Sequence, residues 1–273
     1  MSRGAYLETL GRNITSLLRV AGRKKQTVAE SSFDAWIKHY RGDENTPNAG
    51  VSYYLKGGLI ALSLDLLIRN QTDGRKSLDH VMRALWKNYG MKGIGVAEGG
   101  IEQVAEHVTG LKLNRFFDQA VRSTADLPLR KLLATVGVDM PQRPARSGAE
   151  RRDKGAGKQN QGSRGVALGV RIGNDGSGVK LSQVFDGGAA QKAGLAAGDS
   201  IIAIDGLHVT PDNFDATLGR YRVGEIVSVH AFRRDELRVL DVTLVAAKAD
   251  TWSLSVNEDK AGARARKRWL GSD

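Results

Sequence analysis

Two kinds of side chain in this sequence could carry chemistry: five histidines, and the tyrosine pair Tyr53-Tyr54 at the head of an apolar run. Imidazole is the commonest zinc ligand, and a catalytic zinc wants three protein ligands and one open position. His39, His80, His107, His208 and His230 do not meet that need, because no two stand four residues apart and Glu106-His107 lacks the second histidine of a helical pair. They read as surface or core histidines. The chain has no cysteine, which excludes disulfides and thiolate metal sites but leaves the compartment open. A phenol both donates and accepts hydrogen bonds. From helical periodicity alone, Tyr54 reads as a buried tyrosine bonding a backbone carbonyl.

The element that must position Tyr54 is the stretch from Val51 to Arg69. At 100° per residue, Ser52, Lys56, Ser63 and Asn70 form one polar stripe, and Tyr54, Gly58, Asp65 and Arg69 gather on another face of an otherwise apolar cylinder. A central, buried helix with two polar seams is expected. Lys56, Asp65 and Arg69 interrupt it too often for a membrane span, which wants about 20 mainly apolar residues.

Tyr54-Leu55-Lys56-Gly57 resembles the Tyr-x-Lys-Gly signature of gluzincin aminopeptidases. Its surroundings, Glu30-Ser31-Ser32-Phe33-Asp34-Ala35-Trp36 and Ser77 to Trp86, are similar to the glycyl aminopeptidase family of zinc metallopeptidases, whose members end in a PDZ domain. The likeness runs from about Tyr6 to the closing Trp269-Leu270-Gly271. It implies a hydrolase that removes N-terminal glycine or alanine, with zinc in the complete enzyme and Tyr54 as the oxyanion stabiliser. A fixed phenol suits that role because the charge it meets exists only in the transition state. The family's His-Glu-x-x-His zinc motif does not occur in this sequence. No cofactor is therefore expected in this chain, which is expected to be inactive by itself, as the C-terminal part of such an enzyme.

The net charge of +11 raises the question of nucleic acid. Residues 1–25 hold six basic groups and one acid, and residues 142–164 hold seven basic and two acidic, so the excess sits in a terminus and a linker. No recognition motif with interleaved aromatics accompanies it, so no specific nucleic-acid partner is expected. Ser2 to Leu18 lacks the apolar run of about 7–15 residues that a signal peptide needs, so a cytoplasmic chain is expected, with any export signal upstream.

Organisation follows from periodicity. Tyr6, Leu7, Leu10, Ile14, Leu17 and Leu18 predict a packing helix stopped near Gly22, and further helices are expected over 78–89, 100–109, 112–123 and 128–136. Pro141 to Arg164 has no large apolar residue and reads as a linker. Short alternating runs follow at 166–172, 179–184, 200–205, 226–233 and 238–244, with helices near 188–194 and 211–220. The expected fold class is α+β: a helical lobe (1–140), a flexible basic linker (141–163), a small β-barrel or sandwich of PDZ type with two helices (164–248), and a partly helical tail (249–273).

Ala189 to Gly206 resembles the PDZ core, and Ala167-Leu168-Gly169-Val170 resembles its carboxylate-binding loop, departing from the usual Gly-Leu-Gly-Phe at Ala167 and Val170. The resemblance implies β-augmentation: a peptide adds to the strand from Val170, and its terminal carboxylate meets backbone amides around Leu168 and Gly169. Expected partners are peptides or protein C-termini, together with the N-terminal catalytic part of the enzyme. The alternative reading is a non-catalytic PDZ scaffold.

Overall fold

The computed structural model describes residues 2–144, 165–174, 178–257 and 260–271. Of the stretch expected as a linker, residues 145–163 lie outside the described residues. The fold class is α+β, as expected.

Helix α1 (Arg3–Arg19) starts where the Ser2 side chain accepts from the Ala5 amide, and its stripe of Leu7, Leu10, Ile14 and Leu17 is buried. Gly22, expected as a simple stop, is needed for space: a Cβ there would lie 2.1 Å from the Gly50 carbonyl oxygen. Between these glycines run α2 (Val28–Phe33), a π-helical turn (Ala35–His39) and α3 (Thr46–Ala49). A reciprocal Thr27–Glu30 capping box starts α2, and Pro47 sits in the first turn of α3.

Helix α4 (Tyr53–Gln71) lies between two cores. Leu59 and Leu66 pack with α1 and with Leu129, Leu132 and Leu133 of α8 (Leu129–Ala134). Leu64 and Ile68 pack with residues of α5 (Leu78–Asn88), α6 (Gly100–Thr109) and α7 (Asn114–Ala120). A helix covered on both sides has to be apolar all round, which is why its sequence shows no single stripe. The two polar seams do different work. Ser63 is buried and donates to the Leu59 carbonyl at 2.7 Å. Asp65 pairs with Arg69 at 2.8 Å and accepts from the Leu78 amide at 2.8 Å, which fixes the start of α5.

The C-terminal half is an open sheet. Strands β4 (Val170–Asn174), β5 (Val179–Val184), β6 (Ser200–Ile204), β8 (Ile226–Arg233) and β9 (Glu236–Thr243) lie antiparallel in that order, with β7 (Leu207–His208) paired to β6. Its core gathers Leu168, Leu181, Ile201, Ile204 and Val229 under α9 (Ala189–Lys192) and α10 (Phe214–Leu218). Strand β3 (Val166–Ala167) pairs with β10 (Val245–Ala246).

The chain then returns to the helical lobe. Strand β11 (Thr251–Trp252) pairs with β2 (Gln142–Arg143), and β12 (Ser255–Val256) with β1 (Val138–Asp139). Trp252, Leu254 and, from α11 (Lys260–Leu270), Ala265 and Trp269 complete the core of α1 and α8. The expected wholly helical lobe (1–140) thus carries one two-residue strand, β1; β2 lies in the stretch expected as a flexible linker, and β11 and β12 in the expected tail, all too short to leave an alternation in sequence. No helix among the described residues is long and apolar enough to cross a membrane.

Candidate functional site

Ser52 accepts from the Leu55 amide and so sets Tyr53 and Tyr54 as the first two residues of α4. That placement overturns the sequence expectation of a buried tyrosine: Tyr54 is 61% exposed. Its phenol bonds no backbone carbonyl among the described contacts and meets Tyr40 instead, oxygen to oxygen at 2.6 Å. Tyr40 also reaches the Tyr53 hydroxyl at 3.2 Å. The Tyr53 and Tyr54 rings stack with centroids 4.2 Å apart, and His39 stands edge-on to Tyr53 at 5.1 Å. The π-helical turn delivers His39 and leads into Tyr40, so an element that left no periodic signal supplies half of the cluster.

Hydrogen bonding splits the two neighbouring phenols. Bonds from Tyr40 first and Tyr53 second lower the Tyr54 pKa against a smaller opposing effect of desolvation. Tyr53 moves up, because its hydrogen bonds to Tyr40 and Tyr54 favour the protonated form. Either hydroxyl of the Tyr40–Tyr54 pair can donate; where Tyr40 is the donor, the Tyr54 proton is free for an outside group. Among the described residues no three His, Asp or Glu side chains gather as a metal site, and the histidine of this cluster stands alone.

One turn along α4, Lys56 is 2% exposed, and its ammonium has no hydrogen-bond partner among the described residues. Burial lowers its pKa, with Asp126 acting the other way. Sequence reasoning placed Lys56 in a polar seam and gave it no role.

The second site is the outer edge of β4. β5 occupies one side of this strand, and no described strand pairs with the other. The preceding loop is built by glycine. Gly169 has φ +77°, and a Cβ there would stand 2.9 Å from the Gly188 Cα. The Leu168 carbonyl accepts from the Ala190 amide and the Gly169 carbonyl from the Phe185 amide, both at 2.9 Å. A trans peptide sets its N–H opposite its C=O. The Gly169 and Val170 N–H groups therefore point away from α9 and β5, toward the open edge. The Leu168 side chain is buried in the sheet core, so its part in the loop is played by its backbone.

Beside this edge lies a cavity of 460 Å³, lined by Val170, Ile172, Phe214 and Leu218 together with residues of the helical lobe. The helix expected to start near Pro211 begins at Phe214, after a turn in which Asn213 Oδ1 accepts from the Thr210 amide at 2.7 Å.

Residues 166–244 match the family model of the PDZ domain. Residues 1–60, from α1 through Tyr54, match that of the M61 glycyl aminopeptidases. The N-terminal part of the chain is thus similar to the M61 glycyl aminopeptidases and residues 166–244 to the PDZ domain, in line with the sequence resemblance. An aminopeptidase N family protein from Idiomarina loihiensis matches 99% of the chain at 36% identity and a TM-score of 0.88, and the chain spans 45% of that protein's length. An HtrA-type protease with decapeptide (21% identity, 31% of this chain and 30% of that one, TM-score 0.30) is similar only in part. So is the serine endoprotease from Yersinia pestis (23%, 28% and 29%, TM-score 0.26). Neither likeness carries an argument. No curated protein matches the chain closely enough to count as a relative.

Proposed function

We propose that this chain is the peptide-holding part of a PDZ-containing zinc aminopeptidase, with Tyr54 placed to steady the oxyanion formed as an N-terminal glycine or alanine is removed. The observation that carries the peptide-holding role is the open edge of β4, with the Gly169 and Val170 N–H groups turned toward it. An extended peptide adds there as a further strand, and its terminal carboxylate takes the loop amides around Leu168, Gly169 and Val170. A fluorescein-labelled Gly-Ser-Gly-Ser-Val-Val hexapeptide tests this by anisotropy. The free carboxylate binds and the C-terminal amide binds at least about tenfold more weakly, a loss of about 1.4 kcal/mol. Equal affinity for both forms, or none for either, overturns the reading.

The family's zinc does not fit the residues present. The described side chains offer no cluster of three donors, and the sequence has no His-Glu-x-x-His. In this reading the zinc ligands come from other polypeptide, and no hydrolytic step is assigned to this chain alone. The purified 273-residue chain is expected to retain no stoichiometric zinc after desalting and to leave glycyl and alanyl p-nitroanilides intact. Tight one-to-one zinc with chelator-sensitive turnover sinks that expectation. In an enzyme that carries the full motif as well as this lobe, Tyr54→Phe lowers kcat by about 10²–10³-fold with KM little changed, the size of one lost oxyanion donor. Unchanged kcat returns Tyr54 to a structural role. The same missing donor set favours a second reading, a non-catalytic PDZ protein that binds peptides.

A further inference from the structure

The cavity beside β4 is not the PDZ domain's alone. Leu18, Val20 and Ala21, at the end of α1 and the turn after it, also line it. The helical lobe also holds the carboxylate loop in place. Asn48 of α3, 5% exposed, donates from Nδ2 to the Val184 carbonyl at 2.8 Å and accepts at Oδ1 from the Asp186 amide at 3.0 Å. These two backbone groups flank Phe185, whose amide donates to the Gly169 carbonyl. Lys25 pairs with Asp186 at 2.6 Å. At the other margin Arg19 donates from Nε to the Asp250 carbonyl at 3.1 Å and from its guanidinium to Thr251 Oγ1 at 2.6 Å.

An amide side chain that both donates to and accepts from the two peptides around one residue fixes that residue in orientation as well as position. It does so most firmly when water is excluded. Asn48 therefore sets Phe185, Phe185 sets Gly169, and Gly169 aims the amides at the open edge. We propose that the peptide groove is a two-lobe site: a free C-terminal segment is held between β4 and the Leu18–Ala21 stretch of the helical lobe, and Asn48 is the positioning residue of the carboxylate loop. Leu18, Val20 and Ala21 of the helical lobe and Val170, Ile172 and Leu218 of the sheet domain supply apolar parts of one lining, beside charged residues such as Arg19, Arg171 and Lys248. The inference rests on the peptide-holding reading above and adds to it that the helical lobe shares in selecting the ligand.

The whole chain and the same labelled Gly-Ser-Gly-Ser-Val-Val, as free acid and as amide, provide the test. Ala21→Trp fills the cavity from the helical side and is expected to weaken binding of the free acid by at least tenfold, with the thermal midpoint unmoved because Ala21 is only half-buried. Asn48→Ala is expected to shrink the preference for acid over amide by about tenfold, equivalent to about 1.4 kcal/mol of loop alignment. A merely structural Asn48 would lower the thermal midpoint and leave that ratio intact. If the wild type prefers the acid and Ala21→Trp binds it equally well, the two-lobe site is overturned while the PDZ groove stands. If the wild type shows no such preference, the peptide-holding reading itself fails, and the inference fails with it.

Discussion

The Tyr40 and Tyr54 hydroxyl oxygens lie 2.6 Å apart, so the residue given the family's oxyanion role shares a hydrogen bond with the residue that follows the π-helical turn. A phenol that accepts from Tyr40 keeps its own O–H free to donate elsewhere, and each bond polarises the next. Tyr54 should then ionise before Tyr53, since hydrogen bonds push the first down and the second up. In a pH titration of ¹³Cζ-tyrosine-labelled protein, the Tyr54 resonance leads and Tyr40→Phe moves its midpoint upward. Identical curves in wild type and variant dismiss the coupling.

Gly169→Ala should disturb both fold and groove. An alanine at φ +77° costs about 1–2 kcal/mol for the left-handed backbone, before its methyl meets Gly188. A lowered urea midpoint together with weakened binding of the free-acid hexapeptide is expected. An unchanged midpoint would falsify the close packing of the loop on Gly188.

Lys56→Met is expected to stabilise the helical lobe at neutral pH by about 1–3 kcal/mol, because it removes a buried cation that has no hydrogen-bond partner among the described residues and keeps the aliphatic stem. The folded-state pKa of Lys56 lies below its unfolded value. The unfolded chain therefore binds this proton more readily, and the penalty on folding is full below the folded pKa. It fades as pH rises toward the ordinary lysine value near about 10.4. Denaturation midpoints at pH 7 and pH 10 check this: the advantage of the variant should narrow at the higher pH, and a constant difference sinks the burial argument.

Much of this molecule can be read from its residues, and what escapes does so for definite reasons. The α1 stripe and the alternating PDZ strands show because each element buries one face, and Ala189 to Gly206 shows because its glycines hold turn conformations. Periodicity alone puts Tyr54 in the core, because it averages over a helix and cannot see that the first turn leaves this side chain exposed. The Ala35–His39 turn, which brings His39 and leads into Tyr40, spans five residues and carries no repeat long enough to detect. Asn48 meets Asp186 across 138 positions, and no local pattern encodes such a pairing.

The chain leaves the helical lobe through Gln142–Arg143 and comes back through Thr251–Trp252, and these two strands are neighbours in one ladder. In topological terms the PDZ domain is an insertion into a body that is zipped shut at its base by two neighbouring strands. Closing a loop costs only about 0.6 kcal/mol more for each doubling of its length, so the helical lobe bears this long excursion at little expense. Arg143 and Thr251 face each other as ladder partners. A short hairpin turn joining them would therefore excise the PDZ domain while the closing strands and the Trp269 helix keep their places, giving a lobe whose chemistry can be compared with and without its peptide groove.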